Sequence, residues 1–496
     1  MIKTYWEQIL GNQEVRQNLS RLRQELKNDG NRMRMLHMIA GSEDRLADLL
    51  NAGDAKTRRN AALLMGDLGK QEFLQPVYQA YEKEQQRFIR SSYLTAMRNF
   101  DCKDYLDKLK AQLEVLSAEK PEIENEKHMM EEMRELTSLI VGIEGISQHC
   151  FNGWDEPYDI ILLTNRNFAE VIKTELEALE PGASTRIFGA GVRAKVGNLR
   201  WVRDLRTYQE LLFVIRGMAS CRMDAARAAE TIVASDLLNF LNRSHRGKEP
   251  YYFRVEFKSK RPLDEKSMFV KKLSAQIEKL SGRKLINTTS NYEVELRLIE
   301  NKEGNCNMLV KLFTLRDERF SYRREVIPMS IRPVNAALTV ALAKEYMKKD
   351  AQVLDPFCGV GTMLIERHKA VLANTSYGLD ILEEAVDKAK TNTEAAHQVI
   401  HYINRDFFRF THEHLFDEVI TDMPFKMGRT TEEEIRELYG RFFCSIRQYL
   451  KEDATLILYS HNRGLIRQMA VRYGFRVMKE YEISKKEGTY VYVLAI

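Results

Sequence analysis

The chain has 496 residues, is 44% hydrophobic and 30% charged, and carries a formal net charge of only +5. That length exceeds one core and points to about three to four domains, while so small a positive balance is only a weak hint of an anionic partner, an argument the distribution of charge must carry. No run of about 18 apolar residues occurs, which excludes a helical membrane span, and the start M-I-K-T-Y-W-E-Q has no signal-peptide core.

The cysteines Cys102, Cys150, Cys221, Cys306, Cys358 and Cys444 are scattered without close pairs. This spacing argues against a zinc ribbon and a disulfide framework, predicts no metal site, and suits a reducing, cytoplasmic compartment.

Residues 1–118 read as helices throughout. Two segments align at an offset of 32 residues: T-R-R-N-A-A-L-L-M-G-D-L-G from Thr57 and I-R-S-S-Y-L-T-A-M-R-N-F-D from Ile89. Arg58 matches Arg90, Ala61 matches Tyr93, Met65 matches Met97, and Leu68 matches Phe100. A helical repeat of this length stacks pairs that cannot bury an apolar face alone. The segment resembles the second helix of a HEAT repeat, which implies docking of a protein partner. A small helical domain with coincidental periodicity is the competing reading. Residues 119–157 are expected to form a charged linker passing into a helix that bears Leu136, Leu139, Ile140 and Ile143.

From Tyr158 short strands alternate with helices. Strands are predicted at Asp159–Leu163, Arg186–Val196 and Leu211–Gly217, with helices over 167–179 and 225–241. These make an α+β unit over 158–250. A second unit over 251–332 begins with the alternating Y-F-R-V-E-F from Tyr252, followed by the basic Lys258, Lys260 and Arg261. A helix over 267–280 and strands over 292–299 and 308–315 complete it. The element order, with S-Y-R-R-E-V-I-P-M-S-I-R-P-V-N-A-A-L after it, resembles a THUMP domain, an RNA-binding module. The unit before it resembles the ferredoxin-like domain that accompanies THUMP. The resemblance implies that Lys258, Lys260 and Arg261 meet RNA phosphates, although a run of cations alone is most often a solvated face. Arg323, Arg324 and Arg332, around Pro328 and Pro333, form either a plain basic connector or a junction that touches both RNA and a ligand pocket. The position directly upstream of a pocket strand favours the junction.

Residues 333–496 alternate helix and strand. The segment V-L-D-P-F-C-G-V-G-T from Val353 reads as a buried strand, a glycine turn at Gly359 and Gly361, and a helix from Thr362. Further strands end in acids, so that Asp355, Asp380, Asp406 and Asp422 close four successive strands. In an open α/β sheet such ends line one crevice. Asp380 lies 25 residues after Asp355, near the spacing at which an acid reaches ribose hydroxyls. Neither G-x-G-x-x-G nor a G-K-[ST] loop is present, which disfavours nicotinamide and nucleoside triphosphates. An acidic pocket without a phosphate lysine suits a cationic adenosine ligand, S-adenosylmethionine. Two strands joined by K-K-E-G close the sheet as an antiparallel hairpin.

D-P-F-C-G-V-G-T is similar to the first motif of RNA guanine-N2 methyltransferases dependent on S-adenosylmethionine, and T-D-M-P-F from Thr421 to their catalytic motif. The chain most resembles the THUMP-containing members of that group that act on tRNA. The fold implied is α/β: a class I methyltransferase Rossmann-like sheet with a C-terminal antiparallel hairpin, preceded by an α+β ferredoxin-like/THUMP region and an all-α HEAT-like domain. The resemblance implies that Asp355 and the turn at Gly359 and Gly361, with Phe357 and Thr362 of the same motif, hold the methionine end of the cofactor. It implies that Asp380, followed by Ile381, holds the ribose, and that Asp406 and Phe407 hold the adenine. Asp422, the Pro424 carbonyl and Phe425 are implied to handle the target base. Met423 departs from the common [DN]-P-P-[YF] form, and Lys426 stands at a position that is often Gly, which leaves base identity more open than the cofactor. Ribosomal RNA, an adenine amine, or a catalytically silent RNA-binding scaffold remain as alternatives.

Overall fold

The computed structural model describes residues 2–119, 125–144, 149–218, 220–247, 249–426, 428 and 430–496. Part of the charged stretch, residues 120–124, lies outside the described residues. The chain divides into two compact units, Met1–Gln148 and His149–Ile496.

The first unit is built of helices. The repeat read from the sequence corresponds to the helices Ala55–Leu68 and Arg87–Met97. Asp54 caps the first by accepting from the Thr57 N–H at 3.0 Å, and Gly69 ends it in the left-handed region. Ala61, Tyr93, Met65 and Met97 are fully buried, as the alignment requires. The matched arginines do matched work. Arg58 pairs with Glu84 and donates to the carbonyls of Ala52 and Gly53, while Arg90 pairs with Glu132 and donates to those of Tyr81 and Glu84. Each guanidinium thus satisfies helix-end carbonyls and a buried acid at once. The helix Glu126–Glu144 belongs to this unit too, since Met129, Met133, Leu136 and Leu139 are buried in its core. The stretch 119–157 is therefore not a spacer between folded parts: its helix completes the helical core, and the division falls after residue 148.

In the second unit, the regions expected as two separate α+β units share a single nine-stranded sheet. Glu210–Phe213 is the seam. It pairs with Tyr158–Leu163 on one side and with Asn305–Leu312 on the other, through Val310 opposite Phe213. One hydrophobic core runs beneath both halves. The strand expected over 186–196 is a hairpin of Ser184–Phe188 and Gly191–Val196, and the helix expected over 225–241 is two, Ala225–Ala234 and Leu237–Ser244.

The second sheet has seven strands: β1 Gln352–Asp355, β2 Thr375–Asp380, β3 His401–Asn404, β4 Phe416–Asp422, β5 Leu450–Ser460, β6 Arg476–Ser484 and β7 Thr489–Ala495. Their spatial order is 3-2-1-4-5-7-6, with β7 antiparallel to both neighbours. The helices are α1 Pro333–Ala343, α2 Thr362–Ala370, α3 Glu383–Ala395, α4 Glu432–Ile446 and α5 Arg463–Arg472. Pro333 opens α1, where its missing N–H costs no hydrogen bond, and Thr431 with Glu434 forms a capping box on α4. Because β1 is flanked by β2 and β4, the strand order reverses there, which opens a crevice at the carboxyl ends of these strands. The mostly parallel sheet closed by an antiparallel hairpin is the one expected.

The two sheets are joined by buried polar contacts. Arg206 grips Glu366 of α2 with two hydrogen bonds of 2.8 and 2.6 Å, and the Tyr322 hydroxyl donates to the same carboxylate at 2.6 Å.

Candidate active site

A cavity of about 440 Å³ opens at the reversal point. All four strand-end acids line it. Asp355, Asp380 and Asp422 are the last residues of β1, β2 and β4, whereas β3 stops at Asn404. Asp406 instead caps a short turn by accepting from the Phe408 N–H at 3.0 Å, which aims the acid at the same crevice.

The acids are not equivalent. Asp380 accepts from the N–H groups of Gly359 at 3.0 Å and Leu382 at 2.9 Å, so its carboxylate fixes the glycine turn. Asp355 is 1% exposed. Burial is the main force on its carboxyl; the Thr421 hydroxyl and the Phe357 N–H oppose it, Asp380 adds to it, and the group is pushed up to about 7. Part of Asp422 faces the cavity, yet its Oδ1 is fully buried and has no hydrogen-bond partner. Burial, with Asp355 adding repulsion, holds this carboxyl well above the usual carboxylate range.

The two glycines of the turn serve different ends. Gly359 borders the cavity at φ 52°, and a side chain there would point into open space. Gly361 is not a cavity residue. It sits at φ 78°, and a Cβ would lie 2.2 Å from the Tyr402 hydroxyl. Gly359 alone of the two borders the cavity; Gly361 is required by the left-handed backbone and by the packing of β3. Gly361→Ala is expected to cost about 1–3 kcal/mol from the backbone conformation alone. Thermal denaturation checks this, and the double variant with Tyr402→Phe should recover part of the loss by removing the nearest atom.

Thr362, at the start of α2, borders the cavity, and its buried hydroxyl lacks a partner. Ile381 is 69% exposed at the cavity mouth. The Phe357 and Phe407 rings meet edge to face at 6.0 Å, and Phe407 is 2% exposed, so it forms a wall rather than a free stacking platform. Phe408 is the more accessible neighbour, with Arg441 3.9 Å above its ring. On the β4 side the Pro424 carbonyl already accepts from the Tyr439 hydroxyl at 2.9 Å, which leaves one lone pair free. The Phe425 ring stacks on His461 with centroids 4.2 Å apart. Lys426 pairs with Glu432 at 3.3 Å.

The basic residues singled out in the sequence lie outside the cavity lining. Lys258 pairs with Glu256, and Arg261 with Glu300 and Glu265, while Lys260 has no ion pair among the described residues. Arg323 is half-buried and donates to the Ile331 carbonyl at 3.0 Å; burial lowers its pKa. Arg324 is exposed, and Arg332 pairs with Glu487 at 3.6 Å. The junction does reach the pocket, but through Ile327, Met329, Ser330 and Ile331 rather than through its arginines. Those residues, and the partners His461 and Tyr439, are not legible in the sequence because no motif marks them.

Residues 321–489 match the family profile described as RMKL-like, methyltransferase domain. The chain carries a methyltransferase domain. With the acidic, partly unsatisfied cavity described above, its methyl donor is S-adenosylmethionine. The fold of the methyltransferase is shared with solved structures. TrmN from Thermus thermophilus superposes with a TM-score of 0.51 at 19% identity, over 68% of this chain and 99% of that one. A predicted N6-adenine-specific DNA methylase from Listeria monocytogenes gives 0.51 at 16% identity, over 68% and 96%. SMU.472, a putative methyltransferase complexed with SAH, gives 0.52 at 14% identity, over 68% and 98%. No curated protein matches the chain.

The fit of the donor is testable on the residues alone. The cavity brings four aspartates together with Arg405 and Arg441, and the surplus of acids suits a ligand that carries a cation and hydrogen-bond donors.

Proposed function

We propose that this methyltransferase acts on RNA, with tRNA as the first candidate, and methylates the exocyclic N2 amine of a guanosine. The observation that carries the reading is the buried, unpartnered Asp422 oxygen beside the Pro424 carbonyl and Phe425 at the edge of the cavity. When bound, S-adenosylmethionine supplies an electrophilic methyl group on a sulfonium. The chain's own residues must present a nitrogen to it. The guanine amine is a poor nucleophile because its lone pair is delocalised into the ring. Asp422 and the free lone pair of Pro424 accept its two N–H groups and turn the nitrogen toward the methyl carbon, which is catalysis by positioning. The bound donor would supply its methyl group to that nitrogen, and Asp422, in the ionised form that rising pH favours, would take the nitrogen's proton. Phe425, its far face covered by His461, offers its other face to a base flipped out of a helix.

In this reading Asp355, Gly359 and Thr362 take the methionine end, Asp380 the ribose and Asp406 the adenine amine. The region 158–332 serves as the ferredoxin-like and THUMP-like RNA platform, with Lys258, Lys260, Arg261 and Arg324 near phosphates. The ion pairs of Lys258 and Arg261 are exposed and weakened by solvent, so phosphates compete for these cations. The helical unit is HEAT-like and docks a protein partner. No described helix is long and apolar enough to cross a membrane. The described cysteines are all free, consistent with work in the cytoplasm. The substrate assignment rests on the site. The test is methyl transfer from S-adenosylmethionine to tRNA, with mass spectrometry of the nucleosides. N2-methylguanosine supports the reading; N6-methyladenosine, modified ribosomal RNA or no product refutes it.

The acid pair predicts a pH dependence. Asp355 and Asp422 are both held above their ordinary values, so each keeps its proton at low pH and ionises as pH rises. Attraction for a cation therefore grows with pH. Titration at about pH 6 and about pH 8 should show S-adenosylmethionine binding several-fold tighter at the higher pH, and the uncharged thioether product changing less. Stability has the opposite sign. The unfolded Asp355 ionises near the ordinary value while the folded one holds its proton to about 7, so the ligand-free fold loses stability as pH rises from about 4 to about 7.

A further inference from the structure

The connector between the two sheets is part of the cavity, and one residue on an outer helix holds it there. Ile327, Met329, Ser330 and Ile331 line the cavity opposite the acids. The connector has no regular secondary structure over 323–332. Its position is therefore set by side-chain contacts.

Asn392, on α3, is fully buried. Its Oδ1 accepts from the Glu325 N–H at 2.9 Å, and its Nδ2 donates to the Glu325 carbonyl at 3.0 Å. This is a two-way clamp on one backbone unit, of the kind a neighbouring strand would make. The same Nδ2 also donates to the Val360 carbonyl at 3.1 Å, inside the glycine turn. A single amide thus joins the connector to the turn that carries Gly359. One helical turn earlier, Lys388 donates to the Val326 carbonyl at 3.0 Å. The bend itself is closed by Ser330, whose hydroxyl accepts from the Ile327 N–H at 3.1 Å. Neither Asn392 nor Lys388 borders the cavity.

We propose that residues 325–331 form a wall of the S-adenosylmethionine site and that Asn392 is the positioning residue that holds this wall against the glycine turn. The proposal rests on the reading of the cavity as the cofactor site. An ordinary buried amide would satisfy itself on its own helix or on one neighbour. This one spends all three of its hydrogen bonds on the backbones of two segments that both contribute residues to the cavity lining. An aspartate in its place keeps the size and the contact to the Glu325 N–H. It cannot donate, and it sets a carboxylate against two carbonyls.

The test uses the full chain and S-adenosylhomocysteine as the probe. In the unaltered protein, the probe should slow amide hydrogen exchange across 325–331. Asn392→Asp should weaken binding at least ten-fold by calorimetry and remove that protection, while the second unit keeps its far-ultraviolet circular dichroism. Asp380→Ala, which alters the proposed ribose contact, should also weaken binding. The proposal is overturned if Asn392→Asp binds the probe within two-fold of the unaltered protein, or if 325–331 exchanges equally with and without the probe. If those results come with weakened binding in Asp380→Ala, the cavity is the cofactor site and only the wall is wrong. If Asp380→Ala binds normally, the cavity reading itself falls, and the wall with it. Should Asn392→Asp not fold, the exchange measurement on the unaltered protein still decides.

Discussion

Asp422→Asn should lower methyl transfer by about 10²–10⁴ while the affinity for S-adenosylhomocysteine stays within a few-fold. The amide is nearly the same size as the carboxyl, so the end of β4 keeps its shape. It replaces a buried oxygen that has no partner with a group that presents an N–H, and an N–H facing the target amine repels it. It also removes the proton acceptor. Two measurements separate this from damage to the fold. Because burial and Asp355 both disfavour the charged form of Asp422, the neutral variant should be at least as stable as the unaltered protein above about pH 7. Its calorimetric affinity for the product should report an intact pocket. Near-normal turnover would remove Asp422 from the catalytic role.

The largest expected loss of stability comes from a pair the reaction does not use. Arg367 on α2 and Glu418 on β4 are 0% and 1% exposed and make two hydrogen bonds of 2.9 and 2.7 Å. The guanidinium also donates to the carbonyls of Lys348 at 2.9 Å and Val371 at 2.5 Å. Glu418→Ala leaves a buried cation without a counter-charge, which costs about 3–5 kcal/mol. Removing both charges together is different. The double variant Arg367→Met with Glu418→Leu should recover much of that loss, since apolar side chains of similar volume pay no desolvation. Urea denaturation of the two variants decides the matter; equal losses would show that the carbonyl contacts, and not the ion pair, dominate. Because α2 begins at Thr362, the single variant should also weaken cofactor binding.

These predictions draw on different parts of the chain's legibility. The glycine turn, the acids at the strand ends and the D-M-P-F segment are local patterns, and local patterns survive in a sequence because each residue answers to its immediate neighbours. The arginines at offset positions in the helical unit were visible for the same reason, since a repeat copies its contacts. The boundary after residue 148 was not visible. A charged helix and a linker have the same composition, and only the burial of Met129, Met133 and Leu136 against other helices tells them apart. The constraint on Gly361 is hidden for a related reason: it is Tyr402, a residue that packs behind it from β3.

The sequence by itself determined that residues 333–496 form a mostly parallel sheet with an antiparallel end and that four acids gather at one edge. Strand period, turn glycines and side-chain charge are properties of short stretches, so they can be read without knowing what lies across the pocket. Only the tertiary structure decided that the two α+β regions share one sheet, because strand partners are chosen by packing and not by pattern. It alone separated the four acids into one that fixes the glycine turn, one that caps a short turn, and two that burial holds above the usual carboxylate range. Burial is a property of everything around a group, and no spacing of residues along the chain records it. It also decided what Val353 to Thr362 meets on its far side: a connector drawn against the turn by Asn392, which no motif announced.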